Sequence, residues 1–141
     1  MLSIKWSDEI MSVGIEEIDS QHKRLIDLIN KIIHSIEDGN QIKNIEIFIE
    51  DATAYTKYHF SSEEKYFEKS CKDKDQIKKH KIRHQEFIDK VNEFGLRLKN
   101  NNDIRDGDGI ELVTQLNKYL SGWLVNHIIV EDRGIFKKNK S

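Results

Sequence analysis

Histidine and carboxylate side chains recur at helical spacing in this 141-residue chain. His80 and His84 lie four residues apart, and His59 and Glu63 have the same spacing. Side chains four residues apart lie on one face of an α-helix, so each pair can direct its ligand atoms to one place. Imidazole and carboxylate groups are common ligands of transition metals. The two pairs therefore indicate a metal site, provided that other segments contribute further ligands.

Four long amphipathic segments can position these residues. An N-terminal arm is expected over residues 1–17, with Trp6 as its anchor. Helices are predicted at about 19–37, 42–70, 76–99 and 110–137, because apolar residues recur there in steps of three and four. Asp19 is a plausible N-cap for the first of them. Long periodic segments with short connections predict one all-α domain, an antiparallel up-down-up-down four-helix bundle.

Five of the six histidines fall on the apolar stripes of these predicted helices. The first stripe is Ile18, His22, Leu25, Ile29, Ile32, Ile36; the second is Ile45, Ile49, Ala52, Thr56, His59, Glu63, Tyr66; the third is His80, His84, Phe87, Val91, Phe94, Leu98; and the fourth is Val113, Leu116, Leu120, Trp123, His127, Val130. The sixth histidine, His34, lies off the stripe and is expected to be structural or exposed. In an antiparallel bundle the five stripe histidines lie toward one end.

A buried layer of five imidazoles and one carboxylate has too many polar groups to be satisfied without a metal. It also has too many ligands for one tetrahedral zinc ion. Five imidazoles, two bridging carboxylates and one bridging oxygen would fill about eleven of the twelve positions around two octahedral ions, leaving one open. The spacing favours Glu131, four residues after His127, as the second carboxylate. Asp132 lies about 140° from His127 around an ideal helix, so spacing alone does not select it.

Composition excludes several other classes of function. The net charge is −2, and no basic run is long enough to indicate binding to nucleic acid or to a membrane surface. The single cysteine, Cys71, permits no internal disulfide, as is usual in a reducing compartment. The start of the chain does not resemble a secretory signal, and no apolar run is long enough to span a bilayer. We expect a cytoplasmic, monomeric protein; the role of Cys71 stays open.

The four histidine motifs resemble those of the hemerythrins, particularly the single-domain bacterial proteins. The motifs are QHKRL around His22, HFSSEE from His59, HKIRH from His80 and HIIVED from His127. They occur in the family's order, and the opening IKWSDEIMSVGIEEIDSQH also resembles the family's N-terminal arm. The resemblance covers essentially the whole chain. It implies a non-haem di-iron centre that binds dioxygen reversibly.

The resemblance also implies a role for each ligand. It assigns His80, His84 and His127 to one iron, and His22 and His59 to the other. It makes Glu63 and Asp132 the bridging carboxylates, with an oxo or hydroxo group between the ions. It thus selects Asp132 over Glu131. The iron with two histidines would have the open position for dioxygen. Trp123 and Leu124 match positions near the family's oxygen pocket, although both are equally consistent with plain core packing.

Three functions remain open on these grounds. The first is reversible dioxygen binding for storage, for delivery to an oxygen-consuming or redox partner protein, or for sensing, which would need a separate partner. The second is a di-iron oxidase, a peroxidase or an enzyme that handles nitric oxide. Oxygen-activating ferritin-like sites are rich in carboxylates and use Glu-x-x-His motifs, and no such motif supplies this site. We therefore expect a binding protein rather than an enzyme. The third function is iron storage, which nothing in the sequence supports.

Overall fold

The computed structural model describes residues 3–38, 42–70, 73–100 and 107–138. Its helices follow one another as α1 (Asp8–Met11), α2 (Glu16–Glu37), α3 (Ile42–Ser70), α4 (Lys74–Lys99), α5 (Gly107–Asn126), a π-helical segment (His127–Asp132) and α6 (Arg133–Lys138). The described ranges contain no strand. The all-α prediction is therefore confirmed.

Four rods form the bundle. Helix α2 packs on α3, α3 on α4, α4 on α5, and α5 again on α2, which closes the ring. The π-helical segment and α6 continue the α5 rod. The short N-terminal helix α1 contacts the π-helical segment, and Arg133 donates hydrogen bonds to the backbone oxygens of Glu9 and Ile10. The prediction of a four-helix bundle with an N-terminal arm is confirmed.

The apolar stripes form the core because each rod presents one such face inward. The larger cluster fills the bundle on one side of the histidine layer and has members on all four rods, Leu25 and Leu98 among them. Trp6 packs against this cluster, as expected of an anchor. A smaller cluster of Val13, Ile18, Phe67 and Phe136 lies beyond the histidine layer. Full burial of a side chain such as Phe67 contributes about 1.5–3 kcal/mol. The histidine layer thus lies between two apolar clusters.

Helix α2 begins at Glu16, three residues before the predicted start at Asp19. The Asp19 carboxylate instead accepts hydrogen bonds from the backbone NH of Val13, at 2.8 Å, and from Ser12 Oγ, at 2.6 Å. Gly14, in the turn between Val13 and Asp19, has a positive φ of 81°. Asp19 therefore fastens the arm to the first turn of the helix rather than capping it from outside.

Helix α4 also begins slightly earlier than predicted, at Lys74. Asp73 is its N-cap, and the carboxylate accepts hydrogen bonds from the backbone NH groups of Asp75 and Gln76. This satisfies donors that the first helical turn leaves without intrahelical partners. The cap fixes where the helix starts and hence the height of His80, six residues further on.

Two stripe residues are placed differently from the prediction. Tyr66 is only partly buried and donates a hydrogen bond to Glu17 Oε2 at 2.6 Å, whereas its neighbour Phe67 is fully buried. Val130 is 61% exposed. It lies within the π-helical segment, where the wider turn changes which residues face inward. The predicted α-helical period therefore fails at this point of the fourth stripe.

Some sequence predictions fall outside the described residues. These concern Cys71, the connections between the predicted helices at 39–41 and 101–106, and the end of the chain at 139–141. The side chains of the stripe residues Ile36 and Val113 are likewise outside the described set. Within the described ranges, no helix has the length and apolarity needed to cross a membrane.

Candidate metal centre

The structure brings all seven predicted ligands into one buried layer. Helix α2 contributes His22, α3 contributes His59 and Glu63, α4 contributes His80 and His84, and the π-helical segment contributes His127 and Asp132. None of the seven residues is more than 4% exposed. The remaining histidine, His34, lies on the surface with a side chain that is 59% exposed. The layer therefore contains the five histidines and Glu63 that the apolar stripes predicted, together with Asp132, which the resemblance rather than the spacing indicated.

The seven residues form two overlapping groups, each able to hold a metal ion. One is His22, His59, Glu63, His127 and Asp132; the other is Glu63, His80, His84, His127 and Asp132. Within each group the ligand atoms all lie within 4.8 Å of one another. His22 and His59 occur only in the first group, and His80 and His84 only in the second. The arrangement therefore provides two adjacent positions with shared ligands.

The two carboxylates face both positions. Glu63 Oε1 lies 3.0 Å from His22 Nε2, and Glu63 Oε2 lies 3.3 Å from His80 Nε2. Asp132 Oδ2 lies 2.8 Å from His22 Nε2, and Asp132 Oδ1 lies 3.1 Å from His80 Nε2. Each carboxylate thus presents one oxygen to each histidine group. This is the orientation that a bridging carboxylate requires.

His127 has an intermediate position. The centroid of its ring is 5.1 Å from that of His84 and 5.2 Å from that of His80, but 6.2 Å from those of His22 and His59. Its Nε2 atom, however, lies 2.7 Å from Asp132 Oδ2, the same oxygen that faces His22. Ring position favours the group with His80 and His84, whereas the nitrogen contact favours the other. We give more weight to ring position, because a small ring rotation redirects the nitrogen.

The π-helical segment decides which carboxylate enters the layer. Asp132 is fully buried, whereas Glu131 turns outward and lies with one oxygen 3.2 Å from His127 Nδ1. A π-helical turn closes between residues five apart rather than four. The residue five positions after His127 therefore faces inward with it. Glu131 also pairs with Arg83 on the outside of the bundle.

Burial and close contacts shift the pKa values of several groups in the metal-free layer. Burial by itself lowers the pKa of His22, but hydrogen bonds to Asp132 and Glu63 outweigh burial and raise it to about 9. The pKa of His127 is raised because the charges of Asp132 and Glu63 likewise outweigh burial. Burial lowers the pKa of His59. Burial opposes ionisation of Glu63, but the charges of His59 and His127 hold its pKa well below the usual range.

The donor atoms fit a metal better than they fit one another. His59 Nε2 contacts Glu63 Oε1 without forming a hydrogen bond, and His84 Nε2 has no hydrogen-bond partner among the described residues, although both nitrogens are buried. Buried polar nitrogens without a partner are rare because each costs about 1–3 kcal/mol. A cation between these nitrogens and the carboxylate oxygens would satisfy them together. The residues present therefore fit a metal.

Aromatic rings surround the layer. Phe60 stacks on His84 with a centroid separation of 3.7 Å, and Trp123 stacks on His127 at 4.6 Å. Phe67 meets His80 edge to face at 4.6 Å. Leu124 is buried in the larger core cluster, while Trp123 is only partly buried. These rings fix the imidazole planes and keep water away from the donor atoms.

Outer partners of the histidines were not identified from the sequence. His59 Nδ1 donates a hydrogen bond to Gln21 Oε1 at 2.7 Å, and Gln21 is itself only 4% exposed. His84 Nδ1 lies 3.5 Å from Glu64 Oε1. Gln21 and Glu64 are adjacent in sequence to the ligands His22 and Glu63. That adjacency was the one available signal, and it does not reveal which histidine each residue contacts.

Several known proteins are similar in sequence to most of this chain. Residues 13–138 match the family described as Hemerythrin HHE cation binding domain. A bacteriohemerythrin of Pseudomonas paraeruginosa is 34% identical over 134 residues, which cover 95% of this chain and 80% of the relative. Bacteriohemerythrins of Stenotrophomonas maltophilia and Clostridium acetobutylicum are 32% and 29% identical. The matches cover 79% and 95% of those relatives and 94% and 91% of this chain, respectively.

The fold also resembles that of a solved structure. A crystal structure of a point mutant aligns over 100% of both chains with a TM-score of 0.79 and 20% sequence identity. At that identity the likeness concerns the fold alone. The family match, by contrast, covers nearly the whole chain and includes all seven buried candidate ligands. The chain belongs to the hemerythrin family.

Proposed function

We propose that this chain binds dioxygen reversibly at a non-haem di-iron centre, for storage, delivery or sensing of oxygen. The observation that carries the proposal is the pair of overlapping ligand groups that share Glu63 and Asp132. Membership of the hemerythrin family and the name bacteriohemerythrin for its relatives support iron as the metal. Zinc in a tetrahedral site would leave several of the seven ligands unused.

The number of ligands supports one open position. Five imidazoles, two bridging carboxylates and one oxo or hydroxo bridge fill about eleven of the twelve positions of two octahedral ions. In the proposed assignment His80, His84 and His127 hold one iron, and His22 and His59 hold the other. The open position then belongs to the iron held by His22 and His59. Dioxygen would bind there.

A pair of ferrous ions, when bound, supplies the two electrons that reversible dioxygen binding uses. The protein residues position the ions and exclude solvent. Phe60 and Trp123 cover the imidazoles of His84 and His127, which are assigned to the other iron, and Leu124 is buried in the larger core cluster. A dry pocket protects a bound small molecule from water and protons. At the proposed dioxygen side, His22 and His59 are both fully buried, which favours retention of the ligand over its further reaction.

The donor set also favours binding over catalysis. Five imidazoles are neutral when they ligate a metal, so Glu63 and Asp132 are the anionic side chains in the layer. Oxygen-activating di-iron sites use more carboxylates, and carboxylates stabilise more highly oxidised iron. We therefore propose that the protein is not primarily an enzyme. A di-iron oxidase, peroxidase or nitric-oxide-handling enzyme is the alternative, because the same open position would admit those substrates.

Metal analysis combined with an oxygen titration tests the proposal. We expect about two irons per chain and a ligand-to-iron charge-transfer band in air that disappears on deoxygenation and returns with oxygen. One zinc per chain, despite ample iron during expression, would exclude a di-iron centre. Irreversible loss of the band while a reductant is consumed would instead favour the enzyme. Reversible cycling without net consumption of a reductant would support binding.

A further inference from the structure

A buried amide lies directly behind His59. Gln21 is 4% exposed, and its Oε1 atom is 2.7 Å from His59 Nδ1. Its Nε2 group donates to Ser62 Oγ at 3.2 Å, and Ser62 Oγ donates in turn to the backbone oxygen of Tyr58 at 3.2 Å. Because the Ser62 hydroxyl proton is used on Tyr58, its lone pairs accept from the amide. This chain of bonds directs the amide oxygen, rather than its NH₂ group, toward His59.

The orientation of the amide fixes the proton on the imidazole. An oxygen acceptor at Nδ1 requires the proton there, so the lone pair of a neutral ring lies on Nε2. Nε2 is the atom that faces Glu63 and has no hydrogen-bond partner among the described residues. A metal ligand needs this lone pair. Gln21 therefore prepares His59 for ligation before any metal arrives.

The chemical nature of the outer partner differs between the two metal positions. At the other position the outer partner is a carboxylate, since His127 Nδ1 lies 3.2 Å from Glu131. His84 Nδ1 lies 3.5 Å from the Glu64 carboxylate without a hydrogen bond between them. Behind His59 the partner is the neutral amide of Gln21. A carboxylate partner makes an imidazole a stronger electron donor to a metal than an amide partner does. The carboxylate draws the ring NH proton toward itself, which raises the electron density on the ligating nitrogen. His59 is therefore the more weakly donating ligand.

We propose that Gln21 is a positioning residue that fixes the ligating tautomer of His59 and limits the electron donation of this imidazole to its metal. The proposal rests on the proposed function in one respect, which is that the metal held by His59 is the one that binds dioxygen. Fixing the tautomer stabilises the bound ion. A neutral partner keeps the reduction potential of that ion higher than a carboxylate would.

The metal-free protein tests the first half of the proposal. In ¹⁵N NMR spectra of the histidine rings, neutral His59 is expected as the Nδ1–H tautomer in the wild type and in Gln21→Glu, but as a mixture in Gln21→Ala. The same changes at Gln115 serve as matched controls, because Gln115 is exposed and, among the residues that the structure describes, its side chain bonds to nearby Glu111 alone. An unchanged tautomer in Gln21→Ala would overturn the proposal.

Titration with Co²⁺ tests the effect on the metal. We expect Gln21→Ala to lower the affinity for one of the bound Co²⁺ ions by about 10–100-fold. The affinities of Gln21→Glu and the Gln115 variants should remain near that of the wild type. Iron-loaded Gln21→Glu should have a more negative reduction potential than the wild type. Equal Co²⁺ affinity in Gln21→Ala and Gln115→Ala, or an unchanged potential in Gln21→Glu, would contradict the proposal. Because Co²⁺ needs no dioxygen, failure of the wild type to bind oxygen would reject the proposed function and leave this result intact.

Discussion

His127 and Asp132 are five residues apart in sequence, yet His127 Nε2 lies 2.7 Å from Asp132 Oδ2 in the buried layer. A regular α-helix would point them about 140° apart. The π-helical segment His127–Asp132 brings them together and turns Glu131 outward. π-Helical turns are rare and are frequently found at functional sites. Here the turn supplies a second carboxylate to both metal positions.

Asp132→Asn should therefore lose metal, whereas Glu131→Gln should retain it. The amide of the first variant carries no charge and cannot bridge two cations as a carboxylate does, so we expect the iron content to fall from about two to one or fewer per chain. Glu131 contacts His127 at its outer nitrogen, Nδ1, and its change should lower metal affinity by about 10–100-fold at most. Metal analysis after gel filtration measures both effects. Equal iron loss in the two variants would contradict the distinction.

His59→Ala should remove one ligand of the iron that has the open position. Its Nε2 faces Glu63 in the centre of the layer, so the variant should hold about one iron firmly and lose the oxygen-dependent absorption band. His34→Ala is the matched control, because His34 is exposed and outside the layer. It should behave as wild type. An unchanged band in His59→Ala would reject its role as a ligand.

Stability should fall with rising pH above about pH 6.5 in the metal-free protein, and should rise between pH 5 and neutral pH in the metal-loaded protein. In the metal-free protein the raised pKa of His22, about 9, contributes stability that is present below pH 6.5 and lost as the pH rises through 9. His127 acts in the same direction, and His59, with its lowered pKa, opposes them. Metal binding instead requires neutral imidazoles and weakens as the pH falls.

Urea unfolding of the metal-free protein should thus give a lower free energy at pH 9 than at pH 6. For the loaded protein, the free energy should be higher near neutral pH than at pH 5. Saturation at 100 times the dissociation constant adds about 2.7 kcal/mol. A metal-free protein that is equally stable at pH 6 and pH 9 would contradict the assigned direction for His22 and His127.

Gly14 and Gly122 should respond in opposite ways to alanine. Gly14 has a φ of 81°, where an alanine side chain costs about 1–2 kcal/mol. Gly122 lies in α5 with open space where a methyl group would be added, and alanine there should stabilise by about 0.5–1 kcal/mol. Thermal unfolding of both variants measures the difference. Destabilisation in both would show that Gly122 has a packing role.

The sequence by itself determined the helical class, the bundle, and the five histidines and Glu63 of the buried layer. The stripe histidines His22, His59, His80 and His84 could be read from it because a regular α-helix maps spacing directly onto one face. The same rule located Glu63 four residues after His59. Motif order then indicated the family.

Only the tertiary structure decided the features that depart from regular spacing or join distant segments. Asp132 faces inward because the π-helical turn changes the helical period, and Val130 is exposed for the same reason. Spacing along one helix carries no information on contacts between helices, so the bond between Gln21 and His59, on α2 and α3, could not be predicted. The packing of the four rods also decided that Glu63 and Asp132 face both metal positions.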